Sequence, residues 1–198
     1  MSSKLEIINA AFLLLGHKPV TNLIQDTGND VKRAIALYDV YYTACLCHAY
    51  WRFSIKQAEL NNLASYESVE GYEYAYQIPN DSLAIYMIEP NNVYRIFGTT
   101  IYSNISSGLK LYYTAYVPES NLPDYYVEYL VERFAGLFAM PITNNSQLAK
   151  LWAQSADIKL DRAMTLDGFS QSSERIQSNP LATAKFSYGN TSNGYGSF

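Results

Sequence analysis

The sequence predicts an α+β fold in which an antiparallel helical bundle carries an inserted small antiparallel β-domain and ends in an extended C-terminal tail. Two stretches at the start of the chain and two after residue 118 repeat apolar residues at helical spacing, whereas the segment between them alternates with a period of two. The last segment is rich in Ser, Asn and Gly and follows neither period. The predicted divisions are the first helical pair at 1–50, the β-domain at 51–117, the second helical pair at 118–168 and the low-complexity tail at 169–198.

The first two helices are predicted from the signals at their ends. Ser3 and Glu6 form a capping box ahead of an apolar stripe, and Gly16 ends that stripe. After a loop, either Asn29 or Asp30 is suited to cap a second helix with an apolar stripe of its own. These signals place the two helices at about residues 4–15 and 30–50.

The alternating segment predicts an antiparallel meander of about four or five strands. Pro79, Asn80 and Asp81 form a turn signal between the first two strands, and Gly98 lies between two later ones. A row of tyrosines precedes that turn at strand spacing. The row is interpreted as a packed face of the sheet, with a sugar-stacking platform as the alternative, and consists of Tyr72, Tyr74 and Tyr76.

The second helical pair begins at Pro123, which suits the first turn of a helix, and Pro141 ends the pattern of that helix. The fourth helix is capped by Asn145 or Ser146 and stops at Gly168. Four helices around one sheet-forming insertion favour a bundle with a second lobe. The apolar residues assigned to the fourth helix are Leu148, Leu151, Trp152, Ile158 and Leu166.

Composition excludes several classes of protein. Of the 198 residues, 48% are hydrophobic and 16% are charged, which favours a folded core over disorder. A net charge of -4 argues against a basic face that grips nucleic acid. The 19 tyrosines indicate a surface that contacts other macromolecules. The start of the chain is interrupted by polar residues, so we expect neither a signal peptide nor a membrane anchor, and we expect synthesis in the cytosol.

Catalytic and metal-binding motifs are not found in the sequence. It has no Gly-rich phosphate loop, nucleophile elbow or paired-cysteine zinc pattern, so no catalytic residue, metal or cofactor is expected. Cys45 and Cys47 point to nearly opposite sides of a helix, which argues against a disulfide between them. Cys45 and His48 share a helix face that would suit the start of a metal site. The favoured interpretation is a buried thiol beside a histidine that benefits from the helix dipole.

Three carboxylates lie at helical spacing on the third predicted helix, at Asp124, Glu128 and Glu132. A pair of carboxylates is also what a glycoside hydrolase needs. Catalytic acids require burial to raise their pKa, whereas this stripe lies opposite the apolar face of its helix. We therefore interpret it as a solvated face.

Three segments in order resemble a known family: AAFLLLGHKPVTNL at 10–23, AYWRFSIKQAEL at 49–60 and YAYQIPNDSLAIYMI at 74–88. Together they resemble the tail tubular protein A, or head-to-tail adaptor, of short-tailed bacteriophages, over roughly the first 165 residues. The resemblance implies a helical bundle with a small β-domain and a structural virion protein of the tail, assembled in the bacterial host cytoplasm. It implies a ring of about twelve copies between the portal and the tail nozzle, through which the genome leaves. The implied partners are further copies of the chain, the portal, the nozzle protein, tail fibres and duplex DNA that passes without specific binding.

Two sets of residues are candidates for contacts within such a particle. The carboxylate stripe, Asp124, Glu128 and Glu132, is the candidate channel lining, because a lumen without basic residues lets DNA slide. Anchors along the tail are candidates for partner binding, because the tail has too few apolar residues to fold alone. These anchors are Phe169, Ile176, Leu181, Phe186, Tyr188, Tyr195 and Phe198.

Two other functions stay open at this point. A virion-associated hydrolase of cell-wall peptidoglycan needs an acid buried in a cleft. A carbohydrate-binding tail module needs exposed aromatic rings in a row. Oligomeric state distinguishes both from the adaptor, since only the adaptor requires a closed ring.

Overall fold

A computed structural model describes residues 3–25 and 28–169. These residues form four α-helices and two three-stranded antiparallel sheets, which confirms the predicted mixture of helix and antiparallel sheet. The helices are α1 (Lys4–Leu14), α2 (Asn29–Leu46), α3 (Asp124–Phe138) and α4 (Ser146–Phe169). The strands are β1 (Ile55–Glu59), β2 (Tyr74–Gln77), β3 (Ser82–Glu89), β4 (Tyr94–Phe97), β5 (Thr100–Ser103) and β6 (Lys110–Ala115).

Helix α1 has the two ends that its sequence predicts. The Ser3 side chain accepts a hydrogen bond from the backbone N–H of Glu6, and the Glu6 carboxylate accepts one from the Ser3 backbone N–H. At the other end Gly16 has a φ of 71°, and the N–H of His17 donates to the carbonyl of Phe12 at 2.9 Å. This is a Schellman ending, which needs a residue that tolerates the left-handed conformation, and glycine does so without strain.

Helix α2 differs from its prediction at both ends. Neither predicted residue acts as the N-cap: Gly28 occupies that position and makes no side-chain capping bond. The Asp30 carboxylate instead lies 3.3 Å from Arg33 Nη1 and 3.5 Å from His17 Nε2. The helix ends at Leu46 rather than near residue 50, because the chain then turns to bury Trp51 in the helical core.

Helix α3 packs against the other three helices and makes its most extensive contact with α4. The two helices approach closely because small residues face each other. A Cβ on Gly136 would lie only 3.1 Å from the backbone nitrogen of Ala153. Between the two helices the chain makes a π-helical turn that contains Pro141, and Asn145 then caps α4 by accepting two backbone N–H groups at 3.0 Å.

The residues that α4 buries are not the large ones of its predicted apolar set. Ala156 and Ala163 are fully buried, whereas Leu151 and Ile158 are 56% and 72% exposed. The physical reason is the close approach of α3, which leaves room for alanine but not for leucine or isoleucine. Leu151 and Ile158 therefore face outward, whereas Trp152 and Leu160 are half-buried and pack against the helical core.

An aromatic cluster forms most of the helical core. Trp51 packs edge-on against Tyr126 at a centroid distance of 4.9 Å, and Tyr38 stacks on Phe134 at 4.5 Å. Such ring pairs contribute about 0.5–1.5 kcal/mol each beyond the area they bury. Other large, fully buried side chains of this core are Phe12, Tyr129, Phe138, Ile7, Ile8 and Leu46.

The six strands form two sheets with the orders β1-β6-β3 and β2-β5-β4, so the predicted single meander is wrong. Only β4 and β5 pair as a hairpin of consecutive strands, around Gly98 with a φ of 56°. Nor does the turn signal at residues 79–81 join two paired strands, as a meander requires, since β2 and β3 belong to different sheets. The turn at Pro79, Asn80 and Asp81 instead carries the chain from one sheet to the other. Alternation identifies a strand but not its partner, because both sheets bury one face in the same way.

A second, smaller core brings the two sheets together. Tyr76 of β2 and Ile101 of β5 are fully buried with Leu111 of β6. Tyr74 packs at the margin of this cluster, and the Tyr76 hydroxyl donates to the carbonyl of Ile105. Tyr74 and Tyr76 therefore belong to a packed face, as predicted, and not to an exposed stacking platform.

Residues 170–198 and the six tail anchors among them lie outside the described residues. Across 3–25 and 28–169, no helix combines the length and the hydropathy needed to span a membrane.

Candidate functional site

The carboxylate stripe on α3 is exposed along most of its length. Asp124 is exposed and the Glu128 side chain is 54% exposed, as expected for a solvated face. Glu132 differs, because its side chain is only 16% exposed. Lys159 of α4 lies over this part of the stripe and covers Glu132. The position of Glu132 on its own helix therefore did not predict its burial.

Lys159 ties the stripe to α4. Its ammonium donates to Glu128 Oε2 at 2.9 Å and lies 4.0 Å from Glu132 Oε1. The hydrogen bond from Lys159 lowers the pKa of Glu128. Arg162 is a second basic side chain near Glu128, so the three carboxylates of the stripe and these two cations together keep one net negative charge.

An open groove of about 380 Å³ runs beside the stripe, with an apolar floor of Leu14, Val127 and Val131. Glu132 Oε2 is buried and has no hydrogen-bond partner among the described residues. A hydrolytic acid would need surroundings that favour its protonated form, whereas the hydrogen bond from Lys159 lowers the pKa of Glu128 on the edge of this groove. Glu128 is therefore poorly suited to act as a general acid.

Cys45 and His48 both contact Tyr129. The Tyr129 hydroxyl hydrogen-bonds to His48 Nδ1 and also contacts the Cys45 thiol. Burial raises the pKa of Cys45 to about 11, so the thiol is protonated at neutral pH. Cys47 is exposed and both cysteines are free, as the helical spacing predicts. No group of three or more His, Cys, Asp or Glu side chains within 3–25 and 28–169 is arranged to hold a metal ion.

His48 does not behave as the helix-dipole interpretation predicts. Burial and the nearby charge of Arg133 lower its pKa, while Asp157 acts weakly in the opposite direction. The folded protein therefore favours the neutral imidazole, whereas the dipole interpretation favours the cation. Hydrogen bonding to Tyr129 explains the position of His48 better than the dipole does.

A buried carboxylate fixes the end of α4. Asp167 is 4% exposed; its Oδ1 accepts from the Tyr125 hydroxyl at 2.8 Å, and its Oδ2 accepts from the Arg52 backbone N–H at 2.9 Å. One side chain thus joins α4, α3 and the short helical turn Arg52–Ser54 that leads into β1. The role of Asp167 was not predicted from the sequence. A signal was present, because an acidic residue in the last turn of a helix is unfavourable for the helix dipole and therefore indicates a hydrogen-bond partner outside that helix.

Next to this contact lies a cleft of about 410 Å³, here called the aromatic cleft. The rings of Tyr50 and Tyr86 are 58% and 46% exposed, lie 4.6 Å apart and are tilted by 49°. Tyr86 sits where the pairing of β3 with β6 shifts register, and such bulges redirect a side chain. The lining residues are Tyr50, Arg52, Ile55, Tyr86, Met87 and Tyr112.

The polar edge of the aromatic cleft is formed by Tyr112, whose hydroxyl donates to Glu89 Oε2 at 2.9 Å. Two exposed rings, a thioether and a few polar groups in one concavity are typical of a site that receives an apolar or aromatic side chain. The sequence alone gave no signal for the cleft, because its residues come from the link after α2 and from three strands of one sheet.

Two further surfaces expose large apolar side chains. The hairpin surface, on and beside β4, comprises Val93, Tyr94, Ile96 and Phe97. The α4 surface comprises Leu151, Ile158, Leu166 and Phe169.

Phe169 is the one predicted tail anchor within the described residues. It is the last residue of α4 rather than part of an extended segment, and it is 78% exposed. The helix therefore continues one residue past the predicted stop at Gly168.

No protein-family model matches this chain, and a comparison with curated proteins finds no match.

Proposed function

We propose that this chain is a structural virion protein: an adaptor that forms a closed ring of about twelve copies between the portal and the tail nozzle of a short-tailed bacteriophage. The proposal is supported by the resemblance of segments 10–23, 49–60 and 74–88 to that family. In this proposal the helices form the bundle of the adaptor body, the sheets form its inserted lobe, and residues 170–198 form an extended arm that follows α4. Tail fibres are a further partner.

The presence of two different exposed apolar surfaces carries the proposal. Each copy in a ring must offer one surface to the copy before it and a different surface to the copy after it. The hairpin surface and the α4 surface lie on different elements, one a strand hairpin and the other a helix. Large apolar patches on a chain indicate interaction sites, and neither of these surfaces contributes to either core.

The carboxylate stripe suits the wall of the channel. About twelve copies at -4 each give a ring a charge of about -48, which repels DNA phosphates rather than binding them. Lys159, which lies beside the stripe, is paired with Glu128, so part of its charge is neutralised. We therefore expect the ring to bind duplex DNA weakly, and a tight, salt-sensitive complex would contradict this assignment.

The ring is tested on the portal of the same virion. We expect electron microscopy to show closed rings with the unaltered chain, while the free chain is a monomer because the portal supplies the rotation of each contact. Ile158→Lys or Phe97→Lys should prevent closed rings, because each places a charge in a contact surface. Ile24→Lys is the matched control, since Ile24 is 93% exposed on a loop outside both surfaces and should leave rings intact.

Open filaments, or isolated monomers on the native portal, would refute the adaptor. A separate assay addresses catalysis. The purified chain should not cleave peptidoglycan. Cleavage that Glu132→Gln abolishes would instead support a cell-wall hydrolase.

A further inference from the structure

We propose that the aromatic cleft binds the C-terminal segment of the same chain, residues 170–198. Docking of this segment goes beyond the adaptor function and does not depend on it. Three features of the chain support this docking: the position at which α4 ends, the chemistry of the cleft and the composition of the segment.

The chain leaves α4 beside the aromatic cleft. Asp167, in the last turn of α4, accepts a hydrogen bond from the backbone of Arg52, and Arg52 lines the cleft. Phe169 is only two positions further along the chain. An extended chain advances about 3.3 Å per residue, so the residues after Phe169 need cross no part of the molecule to reach the cleft.

The composition of the segment fits this site. Its 29 residues contain only one acidic and two basic side chains, while six apolar or aromatic residues are spread along it. Isolated apolar anchors on a polar chain bind by inserting single side chains into pockets. The anchors are Ile176, Leu181, Phe186, Tyr188, Tyr195 and Phe198.

The cleft has the complementary chemistry. Tyr50 and Tyr86 pack against each other with their ring centroids 4.6 Å apart, so a docked side chain contacts the exposed parts of both rings without entering between them. Met87 adds an adaptable thioether, and the hydrogen bond from Tyr112 to Glu89 leaves further carboxylate lone pairs for backbone N–H groups of an extended chain. The α3 groove is a weaker candidate, because Lys159 lies over the carboxylates on its edge.

Attachment to the same chain makes the docking intramolecular. A short connection gives a local concentration of about millimolar, so weak single contacts are sufficient. If the proposed function also holds, the portal competes with the cleft for the same anchors. In the free chain the anchors then stay bound in the cleft until a portal is present.

The test is limited proteolysis of the full-length chain by trypsin, which cleaves after Arg175 and Lys185 within the segment. Docking should protect both sites. Tyr86→Ala should speed cleavage at both sites about tenfold, because proteolysis follows the population of the undocked state. Tyr50→Ala, which removes the ring that packs against Tyr86, should speed cleavage in the same way. Tyr41→Ala is the matched control, since Tyr41 is an exposed tyrosine of α2 outside the cleft and outside both apolar surfaces, and it should leave the rates unchanged.

The outcomes are unambiguous. Equal cleavage rates in the unaltered chain and the Tyr50 and Tyr86 variants would overturn the proposal. Equal acceleration by Tyr41→Ala would also overturn the proposal, because loss of any exposed tyrosine would then have the same effect as loss of a cleft tyrosine. Protection that rises with protein concentration would show docking onto another copy and would also refute it. The assay needs no portal, so failure to form rings leaves its result unaffected.

Discussion

Removing the Asp167 side chain should destabilise the protein by about 3 kcal/mol. The carboxylate accepts the Tyr125 hydroxyl and the Arg52 backbone N–H, and hydrogen bonds to a charged group contribute about 1.5–3 kcal/mol each. Asp167→Ala deletes both bonds, although water can reach the exposed Arg52 and recover part of the loss. The lower end of the combined range, about 3 kcal/mol, is therefore expected.

Two matched variants separate the causes. Asp167→Asn keeps the shape, can accept from Arg52 with its carbonyl and can donate to the Tyr125 oxygen, so it should cost only about 1 kcal/mol. Tyr125→Phe removes one donor and should cost about 1.5 kcal/mol. In the double variant, Tyr125→Phe should add little destabilisation to that of Asp167→Ala, because the hydrogen bond between the two side chains is already absent.

Urea unfolding at neutral pH, followed by the fluorescence of buried Trp51, measures these differences. With an m-value of about 2 kcal/mol per molar urea, Asp167→Ala should lower the midpoint by about 1.5 M. A loss below about 1 kcal/mol for Asp167→Ala would refute the assigned hydrogen bonds. Full additivity of the Asp167 and Tyr125 variants would refute their coupling.

Four further predictions concern single residues. Gly136→Ala should destabilise the protein by about 1–2 kcal/mol in thermal or urea unfolding, because the new Cβ would lie 3.1 Å from the Ala153 backbone nitrogen and would push α4 away from α3. Gly168→Ala, with open space around it, should be neutral or stabilise the protein by up to about 1 kcal/mol. A thiol reagent should modify Cys47 in the native protein and reach Cys45 only after unfolding; rapid native modification of Cys47→Ser would contradict this. Because the folded state lowers the pKa of His48 below its usual 6.5, stability should fall as pH drops through 6.5 towards the folded pKa. His48→Gln should reduce that acid dependence in unfolding curves measured at several pH values.

Local signals predicted both ends of α1 and the start of α4. The capping box of Ser3 and Glu6, the Gly16 stop and the Asn145 cap each depend on residues within a few positions of one another, so the sequence contains the whole interaction. Strand pairing does not have this property. Leu111 of β6 pairs with Ala58 of β1 and with Ile88 of β3, and nothing near Leu111 specifies either partner.

The site was harder to predict for the same reason. The carboxylate stripe lies on one helix and was found from spacing, but the burial of Glu132 depends on Lys159 of another helix. Asp167 and the aromatic cleft each join segments far apart in the chain. Each of these features forms only when the tertiary fold brings segments that are distant in the sequence into contact.

Leu151 and Ile158 of α4 face outward, and this feature of the fold suits the proposed ring. A helix that met α3 through Leu151 and Ile158 would stand further from it, and the close contact at Gly136 would be lost. The alanines of α4 fill that contact instead, which leaves two large apolar side chains facing away from both cores. Exposing them costs the isolated chain the burial free energy of two aliphatic side chains, about 1.5–3 kcal/mol each. A second copy that covers this face recovers that free energy. The close packing of the α4 alanines on α3, which the sequence pattern did not predict, therefore favours association.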